Sequence, residues 1–237
     1  MSKINKISII VPCFNEIKTI ERVISSLEEI DLKYPKELII VDDYSSDGTT
    51  DLLNKLQLVR SDIKFLFNEK NYGKGYSIKK GVLQSSGDLI FIQDADLEYN
   101  PKDFLKLIYV FENYDADVVY GSRFKHSDVS RVLYFWHSIG NYILTLLSNI
   151  FTDLNLTDME TGMKAFKANK IKSLNLEERR FGFEPEVTAK LNNLKCKFYE
   201  VGISYNGRSY DEGKKITWKD GISALKCILK YNLWKKY

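Results

Sequence analysis

The sequence contains few of the residues that build metal cages or disulfide frameworks. Its 237 residues include only 3 cysteines and 2 histidines. Cys13, Cys196 and Cys227 lie far apart along the chain, and no CxxC pair occurs. We therefore expect reduced thiols, and we exclude both a zinc cage and a histidine-rich metal site.

Glycine and proline are also scarce, and no long apolar run occurs. With 13 Gly and 4 Pro the chain is not collagen-like, and a hydrophobic content of 44% excludes general disorder. The N-terminal segment MSKINKISIIVPC lacks the features of a signal peptide. Polar residues such as His137 and Asn141 interrupt the most apolar window, 132–151, whereas a spanning helix needs about 20 predominantly apolar residues. The sequence thus predicts a soluble, cytoplasmic protein that is at most associated with a membrane.

Charge of one sign is not in large excess either. The 35 Lys+Arg and 32 Asp+Glu give a net charge of +3, so we expect no nucleic-acid partner. The distribution is uneven, because residues 205–237 contain 8 basic and 3 acidic residues while the first 204 contain 27 and 29. The basic C-terminal end therefore has a role that the rest of the chain does not share.

Strand and helix patterns alternate through the first half. The predicted strands are 7–11, 37–41, 63–67, 88–93 and 117–121. The helical segments between them are 16–30, a helix that follows turn residues at 46–50 and runs through 58, 75–85 and 103–113. Continuous apolar strands separated by helices imply a mostly parallel sheet covered on both faces.

The second half is less regular. A long amphipathic segment, 131–151, is followed by a loop at 154–162 and by short elements up to residue 193. We predict a strand at 197–205 and an amphipathic helix at 218–233 with lysines on its polar side. No internal repeat and no linker-like run occurs, so a single domain is expected.

Polar residues follow four of the predicted strands. In an open parallel sheet, ligands bind beyond the carboxyl ends of the strands. The polar strand ends are Asn15-Glu16, Asp42-Asp43, Asp94-Ala95-Asp96 and Ser122-Arg123. One acidic residue after a strand is an ordinary loop residue, but several at one sheet edge predict a binding site.

The triplet Asp94-Ala95-Asp96 is the sharpest of these features. Two carboxylates separated by one small residue suit a hard divalent cation, Mg²⁺ or Mn²⁺, which completes its shell with water and substrate phosphates. Such a cation binds a diphosphate and neutralises the charge of a departing one.

Two common nucleotide-binding folds are excluded. A Rossmann dehydrogenase needs GxGxxG after its first strand, and this chain has VPCFNE at 11–16. A P-loop needs GxxxxGK[ST], and Gly73-Lys74 is followed by Gly75 without the upstream glycine. Asp42-Asp43 still suits the ribose or base of a nucleoside.

Several ordered motifs together resemble glycosyltransferase family 2. They are IIVPCFNE (9–16), VDDYSSDGT (41–49), NYGKG (71–75), QDADLE (93–98) and GSR (121–123). Further motifs resemble its dolichol- or polyprenyl-phosphate mannosyltransferase branch, namely LTDMETGMKAF (156–166), FGFEPE (181–186) and GRSYDEGKKI (207–216). The resemblance covers about residues 5–230.

The resemblance implies a GT-A fold, with a Rossmann-like mostly parallel sheet flanked by helices, and an inverting, metal-dependent mechanism. We expect one domain over 1–237, in which 1–123 bind the nucleotide sugar and 124–237 bind the acceptor through amphipathic helices. The length leaves no room for the additional membrane spans that some relatives carry.

The resemblance also implies roles for individual residues. Those expected to bind the nucleotide sugar are Pro12, Phe14, Glu16, Val41, Asp43, Asp94, Ala95, Asp96, Arg123, Arg208 and Lys214. Asp94, Asp96 and Glu98 are the expected metal ligands, although much of the family has Gln at the position of Glu98. Asp96, Arg123 and Arg208 are the expected catalytic residues, because guanidinium groups suit phosphates and stabilise a departing diphosphate.

The expected reaction transfers a hexosyl group, mannosyl from GDP-mannose, to a polyprenyl or dolichyl phosphate. An ionised lipid phosphate needs no general base, whereas a hydroxyl acceptor would need one, for which Asp158 and Glu160 are the candidates. One alternative is a family 2 enzyme that uses a UDP-sugar on a lipid phosphate or a glycan hydroxyl. A second is a non-catalytic nucleotide-sugar-binding or membrane-assembly subunit. A sugar-nucleotide pyrophosphorylase is disfavoured because no glycine-rich loop follows the first strand.

The lipid acceptor implies peripheral contact with the cytoplasmic face of a membrane. The segment 131–151 is then an interfacial helix, with an apolar stripe formed by Leu133, Trp136, Leu144, Leu147 and Phe151. The lysines of 219–236 would add attraction to anionic lipid.

Overall fold

A seven-stranded sheet forms the centre of the protein. The computed structural model describes residues 3–125, 131–132, 134–208 and 218–234. The strands are β1 (Ile7–Cys13), β2 (Lys36–Asp42), β3 (Ile63–Phe67), β4 (Leu89–Ile92), β5 (Val118–Ser122), β6 (Lys164–Lys167) and β7 (Phe198–Gly202). Their order is β3-β2-β1-β4-β6-β5-β7, and β6 is antiparallel to both of its neighbours. The sheet is therefore mostly parallel, as predicted.

Helices cover both faces of this sheet. They are α1 (Ile20–Glu29), α2 (Thr49–Val59), α3 (Lys74–Gln84), α4 (Phe104–Asn113), α5 (Phe135–Thr152), α6 (Ala168–Lys172), α7 (Phe183–Asn193) and α8 (Trp218–Leu229). A 3₁₀ turn, Pro101–Asp103, precedes α4, and a π-helical turn, Lys230–Trp234, follows α8. Ile9 and Ile10, consecutive in β1, belong to separate apolar clusters because side chains alternate between the faces of a strand. This double covering explains the continuous apolar strands.

The strand order reverses direction beside β1. From β1 the chain moves outward to β2 and β3, and it then returns to place β4 on the other side of β1. The carboxyl ends of β1 and β4 thus flank a topological switch point, which is where open α/β sheets bind ligands.

The first helix begins later than the sequence suggested. Residues 16–19 were predicted as helical, but α1 begins at Ile20. Asn15 has a φ of +52°, and the Glu16 carbonyl accepts hydrogen bonds from the amides of Thr19 and Ile20, at 3.1 and 3.0 Å. The chain therefore turns sharply after β1 before the helix starts.

Three elements of the second half were not predicted individually. Strand β6 has only 4 residues, too few for a clear periodic pattern. Helix α7 is buried at nine consecutive positions from Phe183 to Leu191, so it lacks the polar face that identifies a surface helix. Helix α6 has 5 residues. These elements depend on tertiary packing.

Helix α5 has two apolar faces, one packed against the protein and one exposed to solvent. Most described residues of the predicted interfacial stripe lie on the packed face. Leu144, Leu147 and Phe151 pack against the protein core, while Trp136 is 79% exposed. Leu133 lies outside the described residues. The face turned to solvent is formed by Phe135, Trp136, Ile139, Tyr142, Ile143, Leu146 and Ile150. Among the described helices, none combines the length and apolar character needed to cross a bilayer.

Candidate active site

The loops after β1 and β4 meet at the switch point. The Thr19 hydroxyl lies 2.7 Å from a Glu16 carboxylate oxygen and 2.8 Å from the Ala95 carbonyl oxygen. This bridge joins the β1 loop to the Asp94-Ala95-Asp96 triplet. The sequence-predicted residues Glu16, Ala95 and Asp96 are therefore neighbours in space.

Arg208 lies across these acidic residues. Its terminal guanidinium nitrogens donate to the two Glu16 carboxylate oxygens at 2.8 and 3.2 Å, and Nη2 is 3.3 Å from Asp96 Oδ2. Its backbone amide donates to Glu98 Oε1 at 2.7 Å, and the Tyr205 hydroxyl donates to Glu98 Oε2 at 2.6 Å. Glu98 thus fastens the segment 205–208 above the triplet.

The acidic residues at this site fit a divalent cation. Burial and the negative charges of Asp94 and Glu98 raise the pKa of Asp96 to about 7, although Arg208 opposes the shift. Carboxylate oxygens are ligands that Mg²⁺ and Mn²⁺ prefer, and a bound cation would relieve the repulsion between neighbouring carboxylates. Among the described residues no three acidic, cysteine or histidine side chains form a complete metal cage. Asp94 and Asp96 would therefore share a cation with oxygens of a bound diphosphate.

Lys74 is a site residue that the sequence analysis missed. Its Nζ lies 2.9 Å from Asp94 Oδ1 and 3.2 Å from Glu184 Oε1. Burial alone would lower its pKa, but the charges of Asp94 and Glu184 raise it, so Lys74 stays protonated. The signal was the NYGKG motif, which places Lys74 at the start of α3. Gly73 there has a φ of +101°, and a Cβ would lie 2.5 Å from the Arg179 carbonyl oxygen, so only glycine fits.

The predicted nucleoside residues lie deeper than expected. Val41 is fully buried in the core, so its side chain offers no surface to a base. Asp43 accepts hydrogen bonds from the amides of Tyr72 and Gly73 at 2.9 and 2.6 Å and from Asn68 Nδ2 at 2.8 Å. Asp43 thus orders the loop before α3, and its contact with a nucleoside stays a prediction.

The remaining nucleoside residues line the end of β1. Pro12 is a buried residue of β1, and Phe14, directly after the strand, is partly exposed. Phe14 is thus the more accessible of the two. Lys214, the remaining phosphate-binding candidate, lies outside the described residues.

Arg123 is held by a buried carboxylate. Its Nε and Nη2 each lie 2.7 Å from an oxygen of Asp158, and its backbone amide donates to the same carboxylate at 3.0 Å. Asp158 is fully buried, and Asn141 Nδ2 donates to it at 3.2 Å. Asp158 therefore orients Arg123, and its role as a general base stays a prediction.

A cavity of about 200 Å³ lies beside the triplet. It is lined by three arginines, Arg123, Arg131 and Arg208, together with His137. The Arg131 backbone amide donates to the Tyr205 carbonyl at 3.1 Å, and its Nη1 donates to the Gly207 carbonyl at 2.8 Å. The arrangement suits an anion that approaches from the side of α5. Arg131 and His137 had no assigned role in the sequence analysis because neither belongs to a recognised motif.

Comparison with models of protein families identifies the family of this chain. The model for Glycosyl transferase family 2 matches residues 8–174. The chain belongs to glycosyltransferase family 2. The match includes β1, β4 and the loop 154–162, and therefore most of the site described above.

The relatives of this family 2 chain include three transferases named for a prenyl or dolichyl phosphate. The undecaprenyl-phosphate 4-deoxy-4-formamido-L-arabinose transferase of Proteus mirabilis is 28% identical over 90% of this chain and 63% of its own length. A dolichyl-phosphate beta-glucosyltransferase of Trichomonas vaginalis is 29% identical over 84% and 65%. The dodecaprenyl-phosphate galacturonate synthase of Rhizobium johnstonii is 25% identical over 88% and 61%. The chain thus spans less than two thirds of the length of each.

Solved structures of a glucosyl-3-phosphoglycerate synthase share the fold. Glucosyl-3-phosphoglycerate synthase from Mycobacterium tuberculosis, in complex with Mn²⁺, UDP and phosphoglyceric acid, has a TM-score of 0.73 and 19% identity, and the match covers 97% of this chain and 79% of that one. The same enzyme with Mg²⁺ and UDP has a TM-score of 0.70 and 19% identity over 96% and 79%. At this level of identity the likeness establishes the GT-A-like fold alone.

Proposed function

We propose that this family 2 glycosyltransferase transfers a hexosyl group from a nucleotide sugar to a polyprenyl phosphate, with inversion at the anomeric carbon. The observation that carries the proposal is the cavity lined by three arginines, of which Arg208 also lies 3.3 Å from the Asp96 carboxylate of the triplet. An anionic acceptor bound there is adjacent to a diphosphate bound at the triplet. The names of the relatives support the same acceptor class.

The apolar side of the cavity supports a lipid acceptor. Phe124, Val132 and Tyr134 line it and are 41%, 95% and 49% exposed. A phosphate would meet the guanidinium groups while its isoprenoid chain lies along these side chains. A small water-soluble phosphate would leave this apolar surface in water, which is unfavourable.

The reaction follows from the charges around the two subsites. A phosphate oxygen of the acceptor attacks the anomeric carbon as the bond from that carbon to the diphosphate oxygen breaks, and the nucleoside diphosphate departs. When bound at Asp94 and Asp96, the divalent cation neutralises charge on that leaving group. Lys74 and Arg208 contribute further positive charge, and Arg123, oriented by Asp158, holds the acceptor phosphate. No proton has to be removed from an ionised phosphate.

The sequence resemblance and the names of the relatives favour different sugars. The sequence resemblance favours mannosyl from GDP-mannose, whereas the relatives are named for glucosyl, galacturonate and formamido-arabinose transfer. We keep GDP-mannose as the sequence-based prediction and a UDP-sugar as the alternative. We also propose that residues 1–123 bind the nucleotide sugar and 124–237 the acceptor.

We further propose peripheral membrane binding through α5 and α8. The solvent-turned face of α5 includes Trp136, Tyr142 and Ile150, which are 79%, 63% and 65% exposed. Helix α8 packs against α5 and adds Ile222 and Leu225, which are 45% and 36% exposed. Aromatic and aliphatic side chains of this kind insert into the interfacial region of a bilayer.

One panel tests the proposed function. The purified protein is incubated with polyprenyl phosphate in mixed micelles, with Mg²⁺ or Mn²⁺, and with GDP-mannose, UDP-glucose or UDP-galacturonate in separate reactions. We expect one donor to yield a lipid-linked sugar and chelation to abolish the product. Transfer only to a free glycan would favour the hydroxyl-acceptor alternative, and no transfer with any donor would favour the non-catalytic one.

A further inference from the structure

Two glutamates near the triplet each have one buried carboxylate oxygen without a hydrogen-bond partner. They are Oε1 of Glu160, in the loop before β6, and Oε2 of Glu184, in the first turn of α7. Glu184 is only 3% exposed. Buried polar atoms are nearly always hydrogen-bonded, so two such acceptors that are near enough to repel each other are suited to accept hydrogen bonds from a ligand.

Both glutamates lie next to the expected position of the donor diphosphate. Lys74 contacts Asp94 and Glu184 at once, at 2.9 and 3.2 Å. On the side of Glu160, a Cβ added to Gly162 would collide with the Asp94 carboxylate, so the loop 160–162 packs directly on Asp94. A group bonded to a diphosphate at the triplet would therefore lie near Glu184 and near the loop that carries Glu160.

Lys164, a second cation near the two glutamates, does not pair with either of these oxygens. Lys164 Nζ donates instead to the carbonyl oxygens of Met159, at 2.8 Å, and Thr161. The cluster is thus short of hydrogen-bond donors.

We propose that Glu160 and Glu184 bind hydroxyl groups of the sugar being transferred and so determine which hexosyl donor is used. The proposal rests on the proposed function. Sugar hydroxyls are good donors, and a carboxylate can accept from two of them at once. Epimeric hexoses place their hydroxyls differently, so two fixed acceptors on separate elements discriminate between them. A site that hydrogen-bonds a hydroxyl discriminates strongly, because a mismatch leaves its buried groups unpaired.

The test compares the binding of a nucleotide sugar with that of the matching nucleoside diphosphate. Affinities for GDP-mannose, UDP-glucose and UDP-galacturonate, and for GDP and UDP, are measured by calorimetry with Mn²⁺. The proteins are wild type, Glu160→Gln, Glu184→Gln and the control Glu112→Gln. Glu112 is also a partly buried, hydrogen-bonded glutamate, and it pairs with Lys33 and Tyr34, which precede β2 at the opposite edge of the sheet.

We expect Glu160→Gln and Glu184→Gln to weaken binding of the nucleotide sugar by about 10- to 100-fold while binding of the nucleoside diphosphate stays within about twofold. The control should match wild type for both ligands. If the two variants weaken both ligands equally, or neither, the inference is wrong while the proposed function stands. If wild type binds the nucleoside diphosphates but no nucleotide sugar, the proposed function itself fails. Glu160→Gln decides the question alone if Glu184→Gln does not fold.

Discussion

Arg123 and Arg208 occupy the same cavity but are held in different ways. Arg123 forms a bidentate ion pair with Asp158, which is fully buried. Arg208 contacts Glu16, Asp96 and Glu98 near the cavity surface. The first arrangement is rigid and built into the fold. Arg208 places a positive charge beside carboxylates that the sequence predicts to bind the metal ion and the nucleotide sugar. We therefore expect Arg208 to contribute more to activity than to stability.

The two arginines should therefore respond differently to truncation. Arg123→Ala leaves the buried Asp158 carboxylate without its ion-pair partner, and we expect it to lower the free energy of unfolding by about 3–5 kcal/mol. Arg208→Ala should reduce transfer by about 10²- to 10³-fold with a much smaller effect on folding. Urea unfolding and initial rates measure the two effects. Equal losses of folding and activity in Arg208→Ala would make it a structural residue.

Arg123→Lys separates charge from geometry. Lysine keeps the positive charge but cannot form the two-pronged contact with Asp158. We expect most of the stability to be retained and the catalytic efficiency toward the lipid phosphate to fall at least tenfold. An unchanged efficiency would show that the charge alone is sufficient.

Asp96 should determine the response to divalent cations. A ligand that binds only the folded state raises stability, by about 2.7 kcal/mol at a concentration 100 times its Kd. We expect Mn²⁺ with a nucleoside diphosphate to raise the Tm of wild type by several degrees, and Asp96→Asn to lose most of this shift together with transfer. A full shift in Asp96→Asn would contradict the assigned metal role. Asp62→Asn is the control, because Asp62 pairs with Arg60 just before β3.

At the scale of secondary-structure elements, the two sides of α5 lie in different environments. Its inner side packs on the core through Leu144, Leu147 and Phe151. The same side brings Thr145 Oγ1 to the Met159 amide at 3.1 Å and so supports the loop that carries Asp158 and Glu160. Its outer side presents apolar residues to solvent. The helix thereby connects the proposed membrane surface to the loop that orients Arg123.

Substitution of two consecutive leucines tests which side of α5 packs on the core and which side faces solvent. Leu146 is 43% exposed on the outer side, whereas Leu147 packs against the core. Leu147→Ala should lower the free energy of unfolding by about 2 kcal/mol or more and leave vesicle binding unchanged. Leu146→Ala should leave stability unchanged and weaken binding to vesicles of anionic lipid. The opposite pattern would reverse the assignment of the two faces.

At the scale of the whole molecule, positive charge is concentrated at one end of the sequence. Residues 205–237 have 8 basic and 3 acidic residues, while the first 204 have 27 and 29. Helix α8, in this basic part, packs against α5 and α7. Lys226, a described lysine of this basic part, is therefore on a helix that lies against α5.

This juxtaposition predicts salt-sensitive binding to membranes. Each lysine near an anionic surface contributes about 1 kcal/mol, and the attraction is screened within about 10 Å at 0.1 M salt. We expect sedimentation to show stronger binding to vesicles with phosphatidylglycerol than to neutral vesicles, and the difference should shrink as salt rises to 0.5 M. Equal binding to both kinds of vesicle would leave only the apolar face as the source of affinity.

The sequence by itself determined the fold class, the positions of β1 to β5 and the family. These features depend on local patterns, since apolar strands, amphipathic helices and turn residues each leave a signal within about ten residues. It also placed Glu16, Asp94 and Asp96 at one sheet edge, because the carboxyl ends of parallel strands share an edge.

Only the tertiary structure decided which partners these residues have. The pairing of Arg123 with Asp158, the position of Lys74 between Asp94 and Glu184, and the inner side of α5 join parts of the chain that are distant in sequence. A side chain's partners depend on how whole elements pack, and an amphipathic pattern alone does not say which of two apolar faces meets the core. The unsatisfied oxygens of Glu160 and Glu184 are a property of that packing, since a hydrogen bond that is absent leaves no signal in a sequence.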